Sequence, residues 1–196
     1  MHIVISGMLV SSMLFGSMIQ RHVAVGPLYS SHLLYRDDEE AMGVWRPAGE
    51  IGVMNIVPHI GMKFRATTLR YDAPAEQGSY SFEYIPLSLC TSFDILPFFD
   101  ISWLHIGLET GLGMYWWKGL YEDEVITLPT GEAMEERDIG FIVGMTLQIH
   151  PLPHIGIEYG TRYHYLTSAE PYKYGFLDKD EKLWEHGIGV KFLWNW

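Results

Sequence analysis

Residues 103–117 read WLHIGLETGLGMYWW. Leu104, Ile106, Leu108, Thr110, Leu112, Met114 and Trp116 form one alternating set. Trp103, His105, Gly107, Glu109, Gly111, Gly113, Tyr115 and Trp117 form the other. A period of two marks a β-strand with two unlike faces. One face is bulky and apolar; the other is rich in glycine and carries a carboxylate. A soluble barrel packs bulky residues inside and shows polar ones to water. The reverse order suits a small barrel with lipid outside and a narrow polar lumen.

The same period recurs outward from this stretch. In 136–150, Ile139, Phe141, Val143, Met145, Leu147 and Ile149 oppose Asp138, Gly140, Gly144, Thr146, Gln148 and His150, with Ile142 an apolar exception on the second face. In 154–166, Ile155, Ile157, Tyr159, Thr161, Tyr163 and Tyr165 oppose His154, Gly156, Glu158, Gly160, Arg162 and His164. In 184–196, Trp184, His186, Ile188, Val190, Phe192, Trp194 and Trp196 oppose Glu185, Gly187, Gly189, Lys191, Leu193 and Asn195. The first half is noisier. Ile60, Met62, Phe64 and Ala66 oppose His59, Gly61, Lys63, Arg65 and Thr67. A strand over 79–93 is expected to slip register near Pro86, which cannot donate to a ladder. Weaker strands at 22–36 and 42–56 carry Pro27 and Pro47.

Eight strands follow, at 22–36, 42–56, 59–72, 79–93, 101–118, 136–150, 154–166 and 184–196. The fold class predicted is all-β, a closed antiparallel eight-stranded transmembrane β-barrel. An even count lets both chain ends emerge on one side. Connections alternate between shorter turns (Val57-Pro58, 94–100 and 151–153) and mostly longer acidic loops (37–40, 72–78, 120–136 and 167–182). A soluble up-and-down barrel would have to crowd a bulky face from every strand into its interior and leave glycine rows in water.

Composition agrees with this reading. The 196 residues are 48% hydrophobic, yet the body of the chain has no charge-free apolar run long enough for a membrane helix. With 7 Trp and 12 Tyr the chain is rich in residues that favour membrane–water interfaces. A net charge of −11 argues against nucleic acid as a partner. The single cysteine, Cys90, excludes an internal disulfide and reads as a buried inert thiol. The apolar segment within residues 1–20 resembles a signal-peptide h-region, although no Lys or Arg precedes it and no Ala-x-Ala site follows. An N-terminal helix or an extra strand are the alternatives there. Residues 21–196 are assigned to the barrel.

This body resembles the small eight-stranded outer-membrane barrels of the OmpA, OmpX and OmpW type. The final VKFLWNW resembles the aromatic-ended last strand by which the barrel-assembly machinery recognises its clients. The resemblance implies a bacterial outer-membrane location, outer-membrane lipid as surroundings, and Phe192, Trp194 and Trp196 as the assembly signal. It is weak on activity, because one fold hosts many functions.

Alternation puts Glu50, Glu83, Glu109, Glu158 and Glu185 on the inner face with Arg46, Lys63, Arg65, Arg162 and Lys191. Asp138 joins them near the rim. Buried charges need such pairing. A salt-bridged, occluded lumen supporting a scaffold is the leading expectation, and a narrow conduit or pocket for a small hydrophobic ligand the alternative. His105, His150, His154 and His164 share this face, but no pair has a strong metal motif, so hydrogen bonding is expected and no metal or cofactor. His164, Ser168 and Glu170 resemble a hydrolase set only loosely, and His164 points inward, so lipid hydrolysis is a distant reading and no catalytic residue is assigned. The aromatics Tyr115, Trp116, Trp117, Tyr121, Tyr163, Tyr165, Tyr172 and Tyr174 at one end, and Trp194 and Trp196 at the other, read as interfacial girdles. The function expected is structural or surface-interactive, through acidic loops.

Overall fold

In the computed structural model, residues 22–36, 39–42, 45–73, 80–95, 103–167 and 180–195 are described. The apolar segment 1–20, Ser168, Glu170, Trp196 and most of three long loops lie outside them. The strands are β1 (His22–Arg36), β2 (Glu39–Met42), β3 (Arg46–Val57), β4 (Ile60–Thr67), β5 (Leu69–Ala73), β6 (Tyr80–Asp94), β7 (Leu104–Tyr121), β8 (Glu124–Val125), β9 (Glu135–Leu152), β10 (Ile155–Thr167) and β11 (Asp180–Asn195). Among the described residues no helix is long and apolar enough to cross a membrane. The protein has instead strands of up to 18 residues, ample for a tilted crossing.

All pairings are antiparallel, and they return on themselves. β1 pairs with β3 and β11. β3 leads to β4, and β4 to β6. β6 pairs with β7, β7 with β9, β9 with β10 and β10 with β11. β5 continues the β4 stave in the same register against β6, and the short β2 and β8 are hairpin returns on β1 and β7. Each main stave thus has its polar backbone groups met on both edges, the condition for spanning a bilayer with strands.

The alternation read in the sequence decides which side faces out. Phe141 is 62% exposed while its chain neighbour Ile142 is 1% exposed. Ile51, Phe64, Leu89, Leu108, Leu112, Val143, Met145 and Ile188 likewise point outward. The buried set is mostly charged or hydroxylated: Glu50, Lys63, Arg65, Ser88, Ser92, Glu109, Glu158, Arg162, Glu185 and Lys191. A water-soluble protein would bury the first set and expose the second.

Pro86 does not shift the register of β6. The β6–β7 ladder runs unbroken from Tyr80↔Tyr121 to Asp94↔Gly107 and includes Pro86↔Tyr115. On the other edge the ladder reaches Leu87↔Ala66 and resumes at Tyr84↔Leu69. The interruption at Thr68 therefore falls opposite Ile85 and Pro86, where proline offers no N–H. The irregularity expected of β6 is carried by its neighbour.

The β7–β8 return places Glu122 and Asp123 at positive φ, 50° and 68°. Two left-handed residues between Tyr121↔Glu124 define a type I′ hairpin, which favours Asn-Gly. Arg70 donates to Asp123 at 2.5 Å across the rim. Glu122→Asn keeps that pair and removes an unfavourable left-handed glutamate. It should raise stability by about 0.5–1 kcal/mol, read as a higher urea midpoint at constant slope.

Candidate functional site: the charged bore

The middle of the interior is a connected charge cluster drawn from five staves. β3 supplies Glu50, β4 Lys63 and Arg65, β7 Glu109, β10 Glu158 and Arg162, and β11 Glu185 and Lys191. Lys63 Nζ donates to Glu109 at 2.6 Å and to Glu158 at 3.1 Å. Arg65 donates to Glu50 through Nη2 at 2.7 Å and to Glu185 through Nη1 at 2.5 Å. Arg162 Nε donates to Glu109 at 2.5 Å, and its Nη2 lies 3.6 Å from Glu158. Lys191 pairs with Glu50 and lies 3.2 Å from Glu158. Four carboxylates thus meet four cations, so the formal charge cancels. Long-range neutrality with short, charge-assisted contacts is what a buried ionic cluster requires.

Glycine makes room for these side chains. A methyl group at Gly144 would lie 2.6 Å from Arg162 Cγ and 2.7 Å from the Thr161 carbonyl. One at Gly113 would lie 2.6 Å from the Tyr115 hydroxyl oxygen. The glycine rows of the sequence are thus the floor on which long polar side chains lie.

Above the cluster, toward the long-loop rim, the Tyr115 hydroxyl lies 2.6 Å from His164 Nδ1, and His164 Nε2 lies 3.0 Å from Glu185. His164 thereby links the Tyr115 hydroxyl to the charge cluster through both ring nitrogens. Beyond this layer the bore turns apolar. Leu69, Tyr84, Trp117, Met134, Leu166 and Leu183 pack together with Tyr115, and Phe82, Ile126 and Leu128 lie against them. Trp117 Nε1 donates to Asp138 at 2.7 Å. The loop after β8 delivers Met134, held by Gly119 N donating to the Met134 carbonyl at 2.9 Å. Toward the short-turn end, His105 Nδ1 lies 2.5 Å from Asp94, and its ring stands 4.5 Å from that of His150. His154 Nδ1 lies 3.2 Å from the Leu193 carbonyl. Among the described residues no group of three or more His, Cys, Asp or Glu side chains is disposed to hold a metal.

Two members of the expected inner network stand elsewhere. Glu83 is on the outer side of β6 and pairs with Lys118 at 2.9 Å. With no register slip at Pro86, Tyr84 takes the inward position and Glu83 must face out. Arg46 shares the parity of Glu50 but lies half-buried at the end of β3, away from the cluster. Of the expected girdle, Tyr115 and Trp117 are buried inside, as their parity requires; Trp116 and Tyr163 lie less buried on the other side, and Tyr121, of inward parity, is 38% exposed at the end of β7. Phe192 and Trp194 point outward.

No family model matches the chain, and no curated protein sequence matches it. Solved structures do. Neisserial surface protein A (NspA) superposes with a TM-score of 0.55 at 17% identity, covering 88% of this chain and 96% of that one. A major outer membrane protein from Thermus thermophilus gives 0.58 at 13% identity, covering 89% and 99%. Ail, the attachment invasion locus protein of Yersinia pestis, solved in complex with the heparin analogue sucrose octasulfate, gives 0.51 at 15% identity, covering 90% and 100%. The fold is therefore that of the small bacterial outer-membrane β-barrels, and the likeness extends over nearly the whole chain.

Proposed function

We propose that this chain is an integral outer-membrane protein whose barrel is a stable, non-conducting and non-catalytic wall that displays acidic loops for surface interaction. The observation that carries this reading is the succession of layers inside the barrel. The charge cluster of Glu50, Lys63, Arg65, Glu109, Glu158, Arg162, Glu185 and Lys191 lies across the bore. The apolar group around Tyr84, Trp117 and Leu183 lies beyond it. An ion would have to leave water, break paired charges and then cross an oily layer, each of which is costly. Outer-membrane lipid is the surrounding solvent on this reading, and the barrel-assembly machinery is the partner that inserts it.

Recording from the purified barrel in a planar bilayer tests the proposal. No steady conductance is expected. A reproducible open level would favour a conduit for small or hydrophobic molecules. Assembly is tested separately. Deleting Trp196 should lower the amount of folded, heat-modifiable barrel recovered from membranes, and unchanged recovery would remove the C-terminal aromatic from the assembly signal.

A further inference from the structure

The outer surface carries a concavity where β6, β7 and β9 approach the long-loop rim. Its volume is about 360 Å³. Its lining includes six residues of outward parity, Glu83, Ile85, Trp116, Lys118, Glu135 and Arg137, beside Trp117 and Glu136 of inward parity. The Arg137 guanidinium lies over the Trp116 ring, 5.9 Å from its centroid. Lys118 Nζ is 2.9 Å from Glu83. Below it on the same staves, Leu89, Leu112 and Phe141 point outward. The concavity therefore sits where an apolar band gives way to charge, the depth at which tryptophan prefers to lie and headgroups begin.

We propose that this concavity binds the headgroup of a membrane lipid that carries both a phosphate and a primary ammonium. The balance of charge selects that chemistry. On the outward face two cations, Lys118 and Arg137, stand beside two carboxylates, Glu83 and Glu135, while the third carboxylate of the lining, Glu136, has the inward parity of Asp138. A headgroup with only a phosphate would meet both carboxylates, and one with only an ammonium would meet both cations. A zwitterion answers each. Guanidinium and ammonium donors suit phosphate oxygens, and an ammonium with three N–H groups suits the carboxylates. Quaternary ammonium lacks those donors. Ile85, exposed at the lower side, offers the first acyl carbons an apolar contact. The arrangement also explains why four charged side chains are kept on a face that is otherwise apolar. This inference rests on the membrane-spanning reading of the chain.

The test uses the full chain refolded in a neutral detergent. Short-chain phosphatidylethanolamine, phosphatidylcholine and phosphatidylglycerol with identical acyl chains are added separately, and retained lipid is counted by native mass spectrometry. Phosphatidylethanolamine should be retained about tenfold more than either other lipid, the factor expected for one charge-assisted hydrogen-bonded contact. In the charge-neutral variant Glu135→Gln/Arg137→Gln that preference should vanish. Glu83→Gln/Lys118→Gln removes the other pair at unchanged net charge and serves should the first variant not fold. Equal retention of the three lipids overturns the proposal, as does an unchanged preference in a folded variant. Displacement by equimolar, chain-free glycerophosphoethanolamine would assign the site to a soluble headgroup and overturn the lipid assignment. The membrane-spanning reading fails by a different result, the absence of any heat-modifiable folded form in detergent.

Discussion

Arg162→Ala should destabilise the folded barrel by about 3–5 kcal/mol, the cost of leaving a buried ionic partner behind. Arg162 is 2% exposed and sits between Glu109, at 2.5 Å, and Glu158, at 3.6 Å, with Glu185 at 3.8 Å. Its loss leaves four carboxylates facing three cations. Lys63 can still hold Glu109, so the effect should fall short of full exposure of a lone charge. Urea unfolding from lipid vesicles, followed by tryptophan emission, measures it. The double variant Arg162→Met/Glu109→Met removes one charge of each sign and fills the space with apolar volume. It should regain much of the loss, because paired burial is costly to break and not costly to replace. If Arg162→Ala unfolds at the same urea concentration as the unchanged protein, the cluster is hydrated and does not hold the interior together.

Leu108→Arg should cost about 2–4 kcal/mol, because it places a cation in the hydrocarbon region. Leu108 points outward, between Phe93 and Met145 on the neighbouring staves. All three are exposed in the isolated chain, which is the surface lipid would cover. Depth is the control. Thr167→Arg, on the outward face at the rim end of β10, should cost only about 0–1 kcal/mol. Equal costs at the two positions would mean that the outward face does not lie along a gradient from hydrocarbon to water.

Much of this architecture is legible in one strand. The period of two in 103–117 separates Leu108 and Leu112 from Glu109 and Gly113, and the structure separates them the same way. The regular strands 136–150, 154–166 and 184–194 behave alike, because in each the bulky and small sets are unmistakable. The difficulty lies where side-chain size stops reporting the face. In 79–93 both parities hold apolar residues, so Pro86 is a tempting place for a slip, and a slip assigns Glu83 inward. Pro86 lies opposite the point where the neighbouring stave breaks at Thr67 and Thr68, and its pairing with β7 is unbroken, so no slip is needed. The apolar layer inside the rim is harder still to foresee. Leu166, Leu183 and Trp117 have inward parity, but Leu69 and Met134 join them from a short strand and a loop. Such long-range meetings leave no local periodicity. Partner choice within the charge cluster is likewise invisible. Lys63 and Glu109 are 46 residues apart in sequence, and Arg65 and Glu185 are 120 apart.

This architecture puts lipid outside and paired charge and packing inside. Photolabelling of the folded chain in vesicles with a membrane-dissolved carbene precursor, mapped by mass spectrometry, tests it most directly. Adjacent apolar residues of opposite facing are the internal control, since their intrinsic reactivity is similar. Phe141, Val143, Leu108, Leu112 and Ile188 should be labelled, whereas Ile142, Leu166 and Leu183 should not. Labelling of Ile142 as heavily as Phe141 and Val143, or labelling confined to the second group, would overturn that arrangement.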